Sequence, residues 1–520
     1  MAHLRNDLPV LLTADFGSSV RCLGKGTYSK VCLYRNLDIK KLQEHGVPIL
    51  EEYAVKMSRE KGLTFDTVSE ISASYFLGSE KHGSRFISRP LAIVHDSLAT
   101  DTNYGLVYAP ADEDLEQAAR RGSSAEPEES AAWVRELAEG LYTLHQGNIL
   151  HLDLKPGNIL LERGEVRISD LGSAWTRFCQ HHPSGLYTTL FYRAPEILVQ
   201  TPGYDEGADV WSFACTVAEI FLRERLFPDL PDDFPGTSTE YMFQQMQELL
   251  GSPNTRDLEV LATGRKWEEY RTGVIPGLRN RIATLPVPPE MVVLLEHTLR
   301  WNSQDRWNMY DVCTFLGLSV PPSVDCVARL ESRRMDPVPM PEFYTPTYYQ
   351  DTIVNIYTYL SKVGVPEAFF LAMYYLSHTP VTRVTVNGIN NAAVFVSILA
   401  SGVIGSQEKL LGHRGGVGTS IRQVLRGTSG NIAPATAYDF LLTEETEPER
   451  RDYGLRMLVL FYYLHLQDTL TALELCESIY TRTAEQEELF RELLPTVPKS
   501  IWKLLDLNQD ETMALLSGSD

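Results

Sequence analysis

The sequence predicts an α+β fold of two lobes, a small one rich in strands and a larger helical one, followed by an all-helical region. Three observations carry this. Short apolar runs broken by turn residues occupy 16–60 and 86–110, with one helical pattern at 64–78 between them. From Trp133 onward apolar residues recur at helical spacing instead, and Ala208–Leu222 is apolar on nearly every side, as in a helix surrounded by core. Past a proline-rich zone, only helical patterns remain. Strands first and helices afterwards is the α+β order.

In chain order, 16–60 reads as strands around the glycine-rich turn Leu23-Gly24-Lys25-Gly26, and 64–78 as a helix. The polar stretch Gly122–Ser130 interrupts the pattern. Trp133–Gln146 then places Val134, Leu137, Leu141 and Leu144 on one helical face. Prolines 321, 322, 337, 339, 341 and 346 favour extended backbone, which separates a domain over 16–320 from a helical domain over 349–508 by a linker at 321–348. In the helical domain Ile353, Ile356 and Leu360 form one stripe, and Pro366-Glu367 suit a first helical turn. Asn387–Val403 and Tyr453–Leu466 add two more helices. The polar tail 509–520 is expected to fray.

The 520 residues allow two to four domains of roughly 100–200 residues each. A net charge of −21 argues against nucleic-acid partners, which need clustered Lys and Arg, and favours basic peptides. The seven cysteines show no zinc-type spacing and read as reduced thiols, so the expected compartment is the cytoplasm or nucleus. The N-terminal MAHLRNDLPVLL has no signal-peptide core. The apolar stretch Leu455–Leu466 is interrupted by Arg456 and His465 and is too short to span a bilayer, so no membrane partner is expected.

The chemistry is concentrated in His151-Leu152-Asp153-Leu154-Lys155-Pro156-Gly157-Asn158 and Asp170-Leu171-Gly172. An acid, a lysine and an asparagine on one tight loop, then a second acid before a glycine, suit transfer of the terminal phosphoryl group of ATP. Asp153 can orient and deprotonate a hydroxyl, Lys155 can neutralise the phosphoryl in flight, and Asn158 and Asp170 can hold Mg²⁺. In Leu23–Val31, Gly24 and Gly26 let backbone approach phosphates and Val31 can cover adenine. One strand later Ala54 leaves room for adenine and Lys56 can reach the α- and β-phosphates, with Glu70 on the next helix to pair with it. Singly, the glycine turn fits a plain hairpin nearly as well, and Lys56 and Glu70 fit a solvated surface. Their joint order with the Asp153 loop points to one site.

In that order the motifs resemble the eukaryotic protein kinase family over roughly 16–320. The resemblance implies the bilobal protein kinase fold, ATP and Mg²⁺ as cofactors, and protein Ser/Thr substrates. It also implies catalytic roles for Asp153, Lys155, Lys56 and Glu70, and metal ligation by Asn158 and Asp170. Nucleotide contacts are implied at Leu23, Gly24, Gly26, Val31, Ala54, Lys56, Ala109, Ala111 and Asp114. Tyr108 matches the gatekeeper, with the Ala109 carbonyl and Ala111 N–H expected at the adenine edge. Asp209 matches the buried brace of the catalytic loop, and Arg306 the partner of Glu196 in Ala194-Pro195-Glu196. Ser29 replaces the third glycine of the loop and Leu171 the usual phenylalanine, and neither change removes a catalytic group.

Thr189–Glu196, Leu226-Phe227-Pro228 and Leu249–Asn254 resemble the CMGC group and its cyclin-dependent kinases, which implies proline-directed substrates. Gly62–Ser72 aligns with their cyclin-binding helix. Those kinases grip an activation-segment phosphothreonine with three arginines, and the matching positions here are Ser69, Leu152 and Trp175. The phosphothreonine position matches Ser184. A phosphate there would meet no guanidinium fork, so activity is expected not to depend on it. Tyr359–Leu376 and Val386–Ser401 faintly resemble a cyclin box, though Gly402 stands where its lysine usually follows, and an unrelated helical bundle fits as well. A cyclin-like module in the same chain would be an intramolecular partner. The alternative function is a pseudokinase scaffold whose helical domain recruits partners. The segment Thr189–Glu196 disfavours a small-molecule kinase.

Overall fold

The computed structural model describes residues 8–517 apart from 27, 36–38, 78–83, 98–101, 121–126, 177–188, 200, 202–204, 262–286, 322–345, 364, 380–389, 391, 395, 398–420, 422, 426–447, 465 and 469–471. The first lobe contains β1 (Val10–Leu12), β2 (Ser18–Lys25), β3 (Ser29–Arg35), α1 (Ile39–Glu44), β4 (Glu52–Ser58), α2 (Phe65–Phe76), β5 (Ala92–His95) and β6 (Tyr104–Tyr108). Its strands form a six-stranded sheet in the order β1-β5-β6-β4-β3-β2. The alternation of strand side chains divides it into two faces. Tyr53, Val55, Ala92, Val94 and Val107 form a small core with Phe16 on one face. Val10, Ile93, Tyr104 and Leu106 join α2 residues Val68 and Ile71 on the other.

β1 differs from expectation. The sheet begins before residue 16, with Val10 opposite Ile93 in a parallel pairing with β5. Three residues carry no readable period, and the partner lies some eighty positions away.

The second lobe follows with β7 (Glu113–Asp114), α3 (Leu115–Arg120), α4 (Pro127–Gln146), β8 (Ile149–Leu150), β9 (Ile159–Glu162), β10 (Glu165–Ile168), β11 (Trp175–Thr176) and α5 (Pro195–Leu198). Helices α6 (Gly207–Leu222), α7 (Ser238–Leu250), α8 (Thr255–Leu261), α9 (Pro289–Thr298) and α10 (Met309–Phe315) complete it. The break expected over Gly122–Ser130 is shorter than that. α4 starts at Pro127, because proline suits the first turn and Glu128 and Glu129 complement its N-terminal dipole. Its predicted stripe is buried, and α6 is buried on nearly all sides as its composition requires.

Beyond the linker lie α11 (Pro346–Val363), α12 (Ala368–His378), α13 (Pro448–Tyr463), α14 (Ala472–Glu477), α15 (Ala484–Leu493), α16 (Lys499–Leu505) and α17 (Gln509–Ser517). α11 begins inside the segment expected to be linker; proline at its first position needs no N–H partner. Most of the linker, 322–345, and most of Asn387–Val403 lie outside the described residues, though 390, 392–394 and 396–397 are helical. The tail does not fray up to Ser517. Asn508 Oδ1 accepts from Asp510 N at 3.1 Å and Glu511 N at 3.3 Å, capping α17, and Leu516 is buried.

The C-terminal helices do not form a separate core. Tyr349, Ile353, Ile356, Leu360, Phe369 and Leu458 belong to the same continuous apolar cluster as Val68 and Ile71 of α2 and Ile93, Tyr104 and Leu106 of the sheet. The larger helical lobe has its own core, built on α4, α6 and α9. No helix among the described residues is long and apolar enough to cross a membrane.

Candidate active site

β4 and β6 bring Lys56 to the cleft. Lys56 pairs with Leu106 and Met57 with Gly105 in their antiparallel register. A Cβ on Gly105 would stand 2.3 Å from the Lys56 carbonyl oxygen, so only glycine permits this approach. The Lys56 ammonium donates to Glu70 Oε1 of α2 and, at 2.6 Å, to Asp170 Oδ1. Burial acts to lower the Lys56 pKa, but the Glu70 and Asp170 carboxylates outweigh it and hold the ammonium above its ordinary value. Burial also disfavours ionised Asp170, and Lys56 reverses that, keeping its carboxyl below the usual range.

Glu70 is pulled both ways. Burial raises its pKa and Lys56 lowers it, with a net rise. One turn earlier on α2, burial pushes the Asp66 carboxyl up to about 6; Lys56 opposes this, and Glu70 and Asp170 add to it. Asp170 itself adopts φ 60°, a left-handed backbone that aims its carboxylate into the cleft ahead of the turn Leu171–Ser173.

The catalytic loop is braced from below by α6. Asp209 is fully buried, and its oxygens accept from the backbone N–H of His151 at 2.7 Å and of Leu152 at 2.8 Å. His145 Nε2 lies 3.0 Å from the same carboxylate. These bonds hold Leu152 at φ 62°, an unusual backbone for a branched residue. The turn that follows presents Asp153, whose Oδ2 accepts from Lys155 Nζ at 2.7 Å. Asn158 Nδ2 donates to the Asp153 carbonyl at 2.8 Å, which leaves the amide oxygen for a cation.

Thr189 was not among the predicted site residues. Its N–H and hydroxyl donate to Asp153 Oδ1 at 2.8 and 2.7 Å, and Lys155 Nζ donates to its hydroxyl at 2.7 Å. Its only sequence signal was its place at the head of Thr189–Glu196. At the other end of that segment, Arg306 grips Glu196 through two bonds of 2.6 and 2.8 Å.

Lys56, Glu70, Asp153, Lys155 and Asp170 line one cavity of about 340 Å³ together with Gly26, Asp66 and Thr189. Leu23, Gly24, Val31, Ala54, Ala109, Ala111, Asp114 and Asn158 are not in its wall. Ala54 lies across from Tyr108 at the end of β6, where the chain enters Ala109–Ala111. The Asp114 carboxylate is committed to α3, accepting from Gln117 N at 2.7 Å.

The three positions without arginine are filled. Leu152 and Trp175 are buried in the core of the larger lobe, and buried Ser69 donates its hydroxyl to the Ala174 carbonyl at 3.3 Å. Ser184 lies outside the described residues.

The protein kinase domain family matches residues 18–315, more than half of the chain. The chain belongs to the protein kinase family, in its CMGC group. It is similar to cyclin-dependent kinase B1-1 of Arabidopsis thaliana, 31% identical over 307 residues, 55% of this chain and 91% of that protein. It is also similar to mitogen-activated protein kinase homolog MMK2 of Medicago sativa, 29% identical over 294 residues, 55% of this chain and 73% of that one. Against mitogen-activated protein kinase 5 of Arabidopsis thaliana it is 29% identical over 48% of this chain and 62% of the relative. The kinase-domain match ends before α11.

The kinase site fits the nucleotide and cation that its family generally uses. Asn158 and Asp170 offer oxygen donors to a hard cation. Among the described residues no group of three or more His, Cys, Asp or Glu stands together as a metal cluster.

Proposed function

We propose that the chain is an active serine/threonine protein kinase, working in the cytoplasm or nucleus. In this reading its own C-terminal helices, and not a phosphorylated activation segment, hold α2 inward. The observation that carries this is the joined Lys56–Glu70 pair, made in a chain whose phosphate-gripping positions hold Ser69, Leu152 and Trp175. The apolar cluster shared by α2 and the C-terminal helices supplies a physical cause for it. We read that helical region as an intramolecular counterpart of a cyclin.

Asp153 orients the incoming Ser or Thr hydroxyl and takes its proton; its Oδ1 accepts from Thr189 and its Oδ2 from Lys155. Lys155 balances charge next to it. Lys56 holds the phosphates, and Glu70 holds Lys56. Asn158 and Asp170 are the residues that would hold Mg²⁺, and ATP·Mg²⁺ when bound supplies the phosphoryl group and neutralises its charge. The CMGC-like segment Thr189–Glu196 supports a preference for proline after the acceptor.

The test is phosphorylation of a Ser/Thr peptide library, with and without that proline, by the phosphatase-treated full chain. Asp153→Asn should lower turnover by about 10²–10⁴-fold. If the unaltered chain turns over no faster than that variant, the scaffold reading takes its place. Ser184→Ala should stay within about twofold of wild type, the level expected when no group grips the phosphate. Loss of its turnover with the fold intact would end phosphorylation-independence.

A further inference from the structure

Glu70 has two carboxylate oxygens, and Lys56 takes only one of them. The Glu70 side chain as a whole is only 4% exposed. Its second oxygen accepts the hydroxyl of Tyr108. Tyr108 ends β6, opposite Ala54, and its half-buried ring packs against the core that α2 shares with the C-terminal helices. One charge-assisted hydrogen bond therefore ties sheet to helix at the back of the cleft.

Several other polar groups of the cavity are engaged elsewhere. Lys56 is divided between Glu70 and Asp170. The hydroxyls of Thr64 and Thr67 face each other at 3.0 Å, and Ser58 Oγ donates to the Glu60 carbonyl at 3.2 Å. Asp66 and Asp170 are carboxylates, acceptors like Glu70 itself. A phenylalanine at 108 would fill the same space and leave a buried carboxylate oxygen unpaired.

We propose that Tyr108 is a positioning residue: its hydroxyl fixes the Glu70 carboxylate and, through it, aims the Lys56 ammonium at the nucleotide phosphates. The proposal rests on the kinase reading above. Tyr108 is not in the cavity wall, and its effect passes through Glu70. The bond joins β6 directly to the helix that the C-terminal core covers, so displacement of α2 would break it together with the Lys56 pair.

Full-length Tyr108→Phe, Glu70→Gln and the double variant separate this role from simple packing. Tyr108→Phe should lower kcat/KM for ATP about tenfold, the size expected of one hydrogen bond to a buried charge. In the Glu70→Gln background, removing the same hydroxyl should change it less than about twofold, because no charge is left to fix. Melting temperatures show whether each variant is folded. Equal losses in both backgrounds, or no loss in either, overturn the proposal. Turnover of the unaltered chain tests the kinase reading separately. If that turnover is absent, affinity for a fluorescent ATP analogue with Mg²⁺ reads the same cycle, with the same two outcomes deciding.

Discussion

Replacing Ile353 with alanine tests whether the C-terminal helices hold α2 in its working place. Ile353 lies on α11, is 1% exposed, and belongs to the apolar cluster that contains Val68 and Ile71 of α2. Removing a buried isoleucine side chain to its Cβ costs about 2–5 kcal/mol, part transfer and part cavity. If only about 1.4 kcal/mol of that falls on the inward position of α2 and not on the outward one, the inward population falls relative to it by about tenfold. Leu294→Ala is the control: Leu294 is fully buried on α9, in the separate core of the larger lobe. The two variants should lose comparable stability in thermal melts. Initial rates at saturating Mg²⁺-ATP, taken well below both melting temperatures, should then fall by up to about tenfold for Ile353→Ala, the full factor where the outward position already predominates, and less for Leu294→Ala, which leaves that ratio unchanged. Equal rate losses, or a destabilised Ile353→Ala with unchanged rate, would refute the reasoning.

Arg306→Ala should destabilise the larger lobe by about 3–5 kcal/mol in urea titrations, because it strands the buried Glu196 carboxylate; Arg306→Lys should recover only part of it, lacking the two-pronged geometry. The His145–Asp209 pair carries a pH dependence. Burial lowers the His145 pKa, but the Asp209 hydrogen bond and nearby acids outweigh it, so the folded value lies above the ordinary 6.5. The folded state then holds more protons than the unfolded state above pH 6.5. The pair's contribution is full below that pH and is lost as pH rises through the folded value. Unfolding free energies should show this decline in the unaltered protein, and His145→Gln should remove it; an unchanged slope would contradict the assignment.

The motifs around Asp153, Lys155, Asn158 and Asp170 could be matched to the kinase family because they sit at short, nearly constant spacing. Val134, Leu137, Leu141 and Leu144, and the all-round apolar α6, could be read because helical periodicity is local. β1 and α17 could not. The first is three residues whose meaning is a parallel partner far along the chain, and the second is a polar segment whose Leu516 side is hidden only by packing.

The sequence by itself determined the order of the kinase-family motifs, the lobe order, and that Ser69, Leu152 and Trp175 stand at the positions matched to arginine. It did so because each depends on side-chain identity along a local pattern. Only the tertiary structure decided that those three positions are packed shut, and that Thr189 closes on Asp153 from 36 residues away. It alone decided that Tyr108 reaches Glu70 across 38 residues and that α2 shares one core with the C-terminal helices. The physical reason is common to all: an unpaired buried carboxylate oxygen or an exposed apolar helix face is costly, and which distant group meets that need is settled when the lobes pack.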